Sequence, residues 1–133
     1  MEFTVSTQQD DYNISASVRR IGKDWLVAIW GGDQPHIGAV GMAQARPSLD
    51  DPNRSSATAS VFCDVGHKED ELVKKVSEQL AARLDARVVV TAGLHWDRIP
   101  AEGIARVRRN VVRLVALIEA RIDAAENKAG QVP

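Results

Sequence analysis

A mixed, mainly antiparallel sheet of five or six strands with two helices packed on one face is the fold the sequence predicts, an α/β (α+β two-layer) sandwich. Three observations carry it. Residues 12–21 alternate apolar with polar (Tyr12, Ile14, Ala16, Val18 against Asn13, Ser15, Ser17, Arg19), the period of a half-buried strand. Trp25-Leu26-Val27-Ala28-Ile29-Trp30 and Val88-Val89-Val90-Thr91 are continuous apolar runs of strand length. Between them, and again after Pro100, the period changes to that of an amphipathic helix.

The elements follow in order. Residues 3–7 alternate weakly and give a short first strand. Gly22-Lys23-Asp24 is a turn signal between residues 12–21 and the run 25–30, whose Trp25 and Trp30 read as core. Residues 37–45 resume in small apolar residues as a fourth strand. The segment 46–56 is dense in turn formers (Pro47, Asp50, Asp51, Pro52, Asn53) and reads as a surface loop. Residues 57–64 form a fifth strand candidate with Val61, Phe62 and Cys63 at its inner end. From 69 to 84, Leu72, Val76, Leu80 and Leu84 fall on one helical stripe, while Glu69, Asp70 and Glu71 occupy the first turn, where the helix dipole favours acids. Pro100 suits the first turn of a final helix in which Ile104, Val107, Val111, Leu114, Ile118 and Ile122 step by three and four. The expectation is one domain, 1–126, followed by a frayed tail, 127–133.

Bulk properties narrow the function. At 133 residues the chain suffices for one core. Seventeen basic residues against 18 acidic ones leave a formal net charge of −1, which argues against nucleic-acid binding through a general basic field. The single cysteine, Cys63, has no partner for an intrachain disulfide, and a cytoplasmic location is the expectation. Residues 1–11 are polar and acidic, unlike a signal peptide, and no apolar run approaches the roughly 20 residues of a membrane helix. With one sheet face left to cover, a homo-oligomer is expected.

The three histidines each sit in a glycine-bearing loop: Gly31-Gly32-Asp33-Gln34-Pro35-His36-Ile37-Gly38, Gly66-His67-Lys68-Glu69 and Thr91-Ala92-Gly93-Leu94-His95-Trp96-Asp97. If strands three, four and five form an antiparallel meander, and the last strand runs parallel to strand five as in a βαβ unit, all three loops end at one edge, the one formed by strand ends. His36, His67 and His95 then converge with Asp33, Lys68, Glu69 and Asp97. The start of the first helix, beside Lys68, is a favourable place for an anion. Three imidazoles with Asp33 or Asp97 as a fourth ligand suit zinc, although no pair has the short spacing of known zinc motifs. Bland readings stand beside these: loop histidines satisfied by backbone, Gly31-Gly32 as a turn, 69–71 as a dipole-favoured helix start, Cys63 as an inert thiol, and Arg106, Arg109 and Arg113 as a solvated face.

The blocks Gly31-Gly32-Asp33-x-Pro35-His36-Ile37-Gly38-Ala39-Val40, Gly66-His67-Lys68-Glu69-Asp70-Glu71-Leu72 and Val88-Val89-Val90-Thr91-Ala92-Gly93-Leu94-His95-Trp96-Asp97 resemble, in this order, the LpdD-like family, from Trp25 to the final helix. That family comprises small companions of UbiD-type non-oxidative decarboxylases, described as prenylated-flavin chaperones. The resemblance implies non-catalytic binding of prenylated FMN and its delivery to the decarboxylase apoprotein, with a UbiX-type flavin prenyltransferase as a further partner. In that reading Gly31, Gly32 and Lys68 hold the phosphate, Trp30 or Trp96 covers the ring, and Asp33, His36, His67, Glu69, His95 and Asp97 complete the site. No catalytic residue and no resident metal is implied. The alternatives are a small metal-dependent enzyme built on His36, His67 and His95, or a protein-docking accessory subunit without a ligand.

Overall fold

A computed structural model describes residues 1–8, 11–64 and 69–130. The elements are β1 (Glu2–Ser6), β2 (Ile14–Ile21), β3 (Asp24–Gly32), β4 (Ala39–Pro47), β5 (Ser55–Cys63), α1 (Asp70–Leu84), β6 (Arg87–His95) and α2 (Ala101–Gly130). The six strands form one sheet in the order β1-β2-β3-β6-β4-β5. It is mixed and mainly antiparallel, since only β3 and β6 pair in parallel.

Strand parity decides what is buried. On one face lie Ile14, Ala16 and Val18 of β2, Trp25, Val27 and Ile29 of β3, Val88, Val90 and Ala92 of β6, and Ala39 and Ala43 of β4, all buried. Both helices cover this face. α1 packs on β4, β5 and β6 through Val73, Val76, Leu80 and Ala81, and α2 packs on β1 and β2. α2 buries Leu114, Val115, Ile118 and Ile122. Small residues on β4 let α1 come close: a side chain at Gly41 would meet the Val73 carbonyl at 2.8 Å. The helices touch each other through polar groups, with Arg83 reaching Asp123 and Glu119, and Gln79 donating to Glu119. The opposite face of the sheet carries neither of the two described helices and exposes Leu26 (37%), Met42 (47%) and Phe62 (77%).

The structure departs from the sequence reading in four places. Strands three, four and five do not form a meander, because β6 lies between β3 and β4. The physical reason is burial: Val88 and Val90 are fully buried, and β6 takes the position with a neighbour on either side. Trp25 is core, at 4% exposure, but Trp30 has the opposite parity and lies half-buried on the open face. β5 is an edge strand, so Phe62 faces outwards instead of lying at an inner end. Finally, Ile104, on the expected apolar stripe, is exposed at the start of α2.

Candidate functional site

Although its premise fails, the convergence of strand ends survives. β6 runs parallel to β3 and antiparallel to β4, and β5 runs antiparallel to β4, so β3, β5 and β6 share one direction. Their C-terminal ends gather at one edge, as in open α/β sheets that bind ligands beyond strand ends. His67 and Lys68 lie outside the described residues, as does Gly66. The other candidates, Gly31, Gly32, Asp33, His36, Glu69, His95, Trp96 and Asp97, are all at or beside this edge.

They divide into two groups on either side of the end of β6. In the first, the Asp33 N–H donates to the His95 carbonyl at 2.7 Å, and Asp33 Oδ2 accepts from the Asp97 N–H at 3.0 Å. His95 Nε2 lies 3.0 Å from Asp97 Oδ1. Gly32 makes this approach possible: its φ is +92°, and any Cβ there would strike the His95 carbonyl. Trp96 donates its indole N–H to the Asp11 carbonyl at 3.0 Å and stacks, tilted by 60°, on Tyr12 with ring centroids 5.7 Å apart. Arg106 covers the Tyr12 ring at 4.9 Å and also approaches Asp11 at 3.7 Å, while Asn110 holds the Tyr12 carbonyl at 2.8 Å.

The second group centres on Glu69. Its side chain does not cap α1. Instead Oε1 accepts from the Leu94 N–H at 3.2 Å and sits 3.3 Å from His36 Nε2. One buried carboxylate therefore ties the start of α1 to the end of β6 and to the β3–β4 loop. The same loop lies flat across β6: the Gly38 N–H donates to the Ala92 carbonyl at 2.9 Å, and a side chain on Gly93 would strike the His36 carbonyl. His36 pairs with Glu69 and His95 with Asp97, and among the described residues no group of three or more His, Cys, Asp or Glu side chains is placed to hold a metal ion.

Cys63, at the end of β5, has its thiol pushed above the usual cysteine range. Partial burial is the largest cause, followed by the negative charge of Asp70, with Glu69 and Asp64 adding to it; a hydrogen bond from the Asp70 backbone works the other way. It is a protonated thiol at neutral pH, not an activated nucleophile.

Beside the first group a groove of about 320 Å³ opens between the start of β2, the end of β3 and the segment after β6. It is lined by Asp11, Asn13, Ser15, Trp30, Gly31, Gly32, Asp33, Pro35 and Trp96. Trp30 and Trp96 are its aromatic lining residues; Ser15 and Asn13 are polar ones, although Asn13 Oδ1 already accepts from the Ser6 and Thr7 hydroxyls and the Gln8 N–H. Among the described residues no lysine or arginine lines it. The backbone N–H groups of Asp33, Gln34 and Gly38 all donate to β6 carbonyls and are already engaged. The carboxylates Asp11 and Asp33 in its lining disfavour a phosphate there. The sequence reading had missed Asp11, Asn13 and Ser15, because nothing in the spacing of polar residues on β2 shows that they meet the end of β3. The pairing of Ile14 with Gly31 and of Ser15 with Trp30 is what brings them there.

The fold is thus an open mixed sheet covered by helices on one side, with a groove lined by Trp30 and Trp96 at the strand ends. The chain belongs to the prenylated flavin chaperone LpdD-like domain family, whose profile it matches over residues 8–123. The match starts well before Trp25 and so takes in the β2 residues of the groove. The chain is similar to Protein LpdD of Lactiplantibacillus plantarum (strain ATCC BAA-793 / NCIMB 8826 / WCFS1), with 28% identity over 102 residues, covering 77% of this chain and 71% of that protein. A solved structure described as a novel chaperone complex for yeast 20S proteasome assembly is superimposable with a TM-score of 0.46 at 8% identity, covering 86% of this chain and 96% of the other. That likeness is too loose to bear on function.

Proposed function

We propose that this chain binds prenylated FMN at the C-terminal strand ends and delivers it to the apoprotein of a UbiD-type hydroxyaryl acid decarboxylase, without itself acting on the flavin. The observation that carries the proposal is the groove between Trp30 and Trp96, in a chain whose family is that of prenylated flavin chaperones. The isoalloxazine and its prenyl-derived ring seat between the tryptophans, with Asn13 and Ser15 offering hydrogen bonds to the ring's polar edge. The phosphate extends away from the carboxylates Asp11 and Asp33, and Lys68, next to Glu69 in sequence, is the cation we assign to it. Glu69, His36, His95 and Asp97 act as positioning residues that keep the two sides of this edge in register. A UbiX-type prenyltransferase is the upstream source of the ligand, and the cytoplasm, where Cys63 stays reduced, is the compartment.

Anaerobic titration of the purified chain with reduced prenylated FMN, followed by tryptophan fluorescence, tests this. Saturable quenching that is far weaker with plain FMN is expected. Trp96→Ala should weaken binding about tenfold, the order expected when one ring-on-ring contact is lost. Equal binding of the two flavins, or unchanged affinity in both Trp30→Ala and Trp96→Ala, would remove the groove from the proposal. A second reading, a docking subunit with no ligand of its own, is favoured by the exposed Leu26, Met42 and Phe62 on the open face. It predicts decarboxylase binding that is indifferent to flavin and lost in Leu26→Asp.

A further inference from the structure

β5 is the last strand of the sheet, and its own nine residues carry no charge, proline or bulge of the kind that keeps an edge from pairing with another chain. It is nine residues long, and its sequence, SSATASVFC, contains no charge and no proline. Its register with β4 runs unbroken from the Ala39–Cys63 pair to the Pro47–Ser55 pair, so no bulge twists it away. The opposite edge, β1, is managed in the ordinary way: it is five residues long and begins with Glu2. No other described strand lies beyond β5.

The direction of the outward backbone groups of β5 follows from one hydrogen bond. The Asp64 N–H donates to the Gly38 carbonyl at 2.9 Å, which continues the ladder to β4. Because alternate residues of a strand turn to alternate sides, Ser55, Ala57, Ala59, Val61 and Cys63 present their N–H and C=O groups outwards.

We infer that β5 pairs antiparallel with β5 of a second copy of this chain, about a two-fold axis at Ala59, to make one continuous sheet across two protomers. Self-complementarity argues for a second copy over any other occupant. When the nine residues pair over their full length, Ser55 lies opposite Cys63 of the second copy and Ala57 opposite Val61. The same register sets exposed Arg54 opposite exposed Asp64 at both ends, so unlike charges meet twice and like charges never face each other. On the helix side Val61, 39% exposed in the single chain, gains a neighbour; on the open side Phe62 meets Ser56. This inference does not depend on the flavin proposal.

Sedimentation velocity on the full chain over a wide concentration range tests it. A concentration-dependent monomer–dimer equilibrium is expected for the wild type. Arg54→Glu sets two acids together at each end and should raise the dimer dissociation constant about tenfold or more, in a salt-sensitive way. Combining Arg54→Glu with Asp64→Arg should restore dimerisation. Ala59→Pro removes an outward N–H while sparing the ladder to β4, and should leave a folded monomer by circular dichroism. A wild-type chain that stays monomeric at every concentration overturns the inference, and so does a dimer indifferent to both Arg54→Glu and Ala59→Pro.

Discussion

At the scale of single residues, Glu69 shows how a side chain can read one way in sequence and serve another in structure. Three acids at a helix start are explained by the dipole, and Asp70 and Glu71 do occupy the first turn of α1. Glu69, only 8% exposed, instead accepts the Leu94 N–H and pairs with His36. Glu69→Ala would remove the acceptor of the part-buried Leu94 N–H and should cost about 1–3 kcal/mol in urea unfolding, whereas Glu69→Gln, which keeps an acceptor for Leu94, should cost less. Equal losses in the two variants would show that the carboxylate charge of Glu69, not an acceptor for the Leu94 N–H, is what matters. Cys63 gives a second check. Since its thiol titrates above the usual range, the thiolate is scarce at neutral pH and grows only as pH rises towards that raised value. Alkylation by iodoacetamide at pH 7 should therefore be slower than that of a free cysteine, and a faster reaction would refute the protonated thiol. The placement of His36, His95 and Asp97 at one edge was legible in sequence; their division into two pairs was not, because it depends on the lateral place of β6.

At the scale of elements, the sequence told strand from helix well and told neighbours poorly. Periods of two and of 3.6 are local properties, so β2, α1 and α2 were visible in alternation and stripe. Which strand lies beside which depends on contacts far apart in the chain, and short connections favoured a meander that the buried β6 overrides. The run 25–30 shows the same limit: a continuous apolar strand hides its parity, so Trp30 read as core although it faces the groove. The helices offer a clean contrast in magnitude. Leu80 is fully buried between α1 and the sheet, and Leu80→Ala should cost about 2–5 kcal/mol in denaturant unfolding. Arg83, which links α1 to α2 through Asp123 and Glu119, is exposed enough that Arg83→Ala should cost less than about 1 kcal/mol. The reverse ranking would mean that the helices hold each other more firmly than the sheet holds either.

At the scale of the whole molecule, binding and assembly both act on stability, and their signatures separate. A ligand that binds only the folded chain stabilises it by about 2.7 kcal/mol at a hundredfold excess over its dissociation constant. For a domain of this size that corresponds to a rise in melting temperature of several degrees. The rise should follow prenylated FMN concentration in the wild type and vanish in Trp30→Ala. Trp30 lies half-buried on the open face, so its truncation should scarcely change the melting temperature of the unliganded chain. Pairing of β5 edges instead makes melting depend on protein concentration, with or without flavin, and Ala59→Pro should remove that dependence while leaving the flavin-induced rise intact. Differential scanning calorimetry on wild type, Trp30→Ala and Ala59→Pro, each at two protein concentrations with and without the flavin, reads both terms at once. Independence is expected because the groove lies between β2, β3 and the end of β6, with β6 and β4 separating it from the β5 edge. If Ala59→Pro also abolished the flavin effect, the ligand would have to bridge the two protomers, and the groove of one chain alone would not be the site.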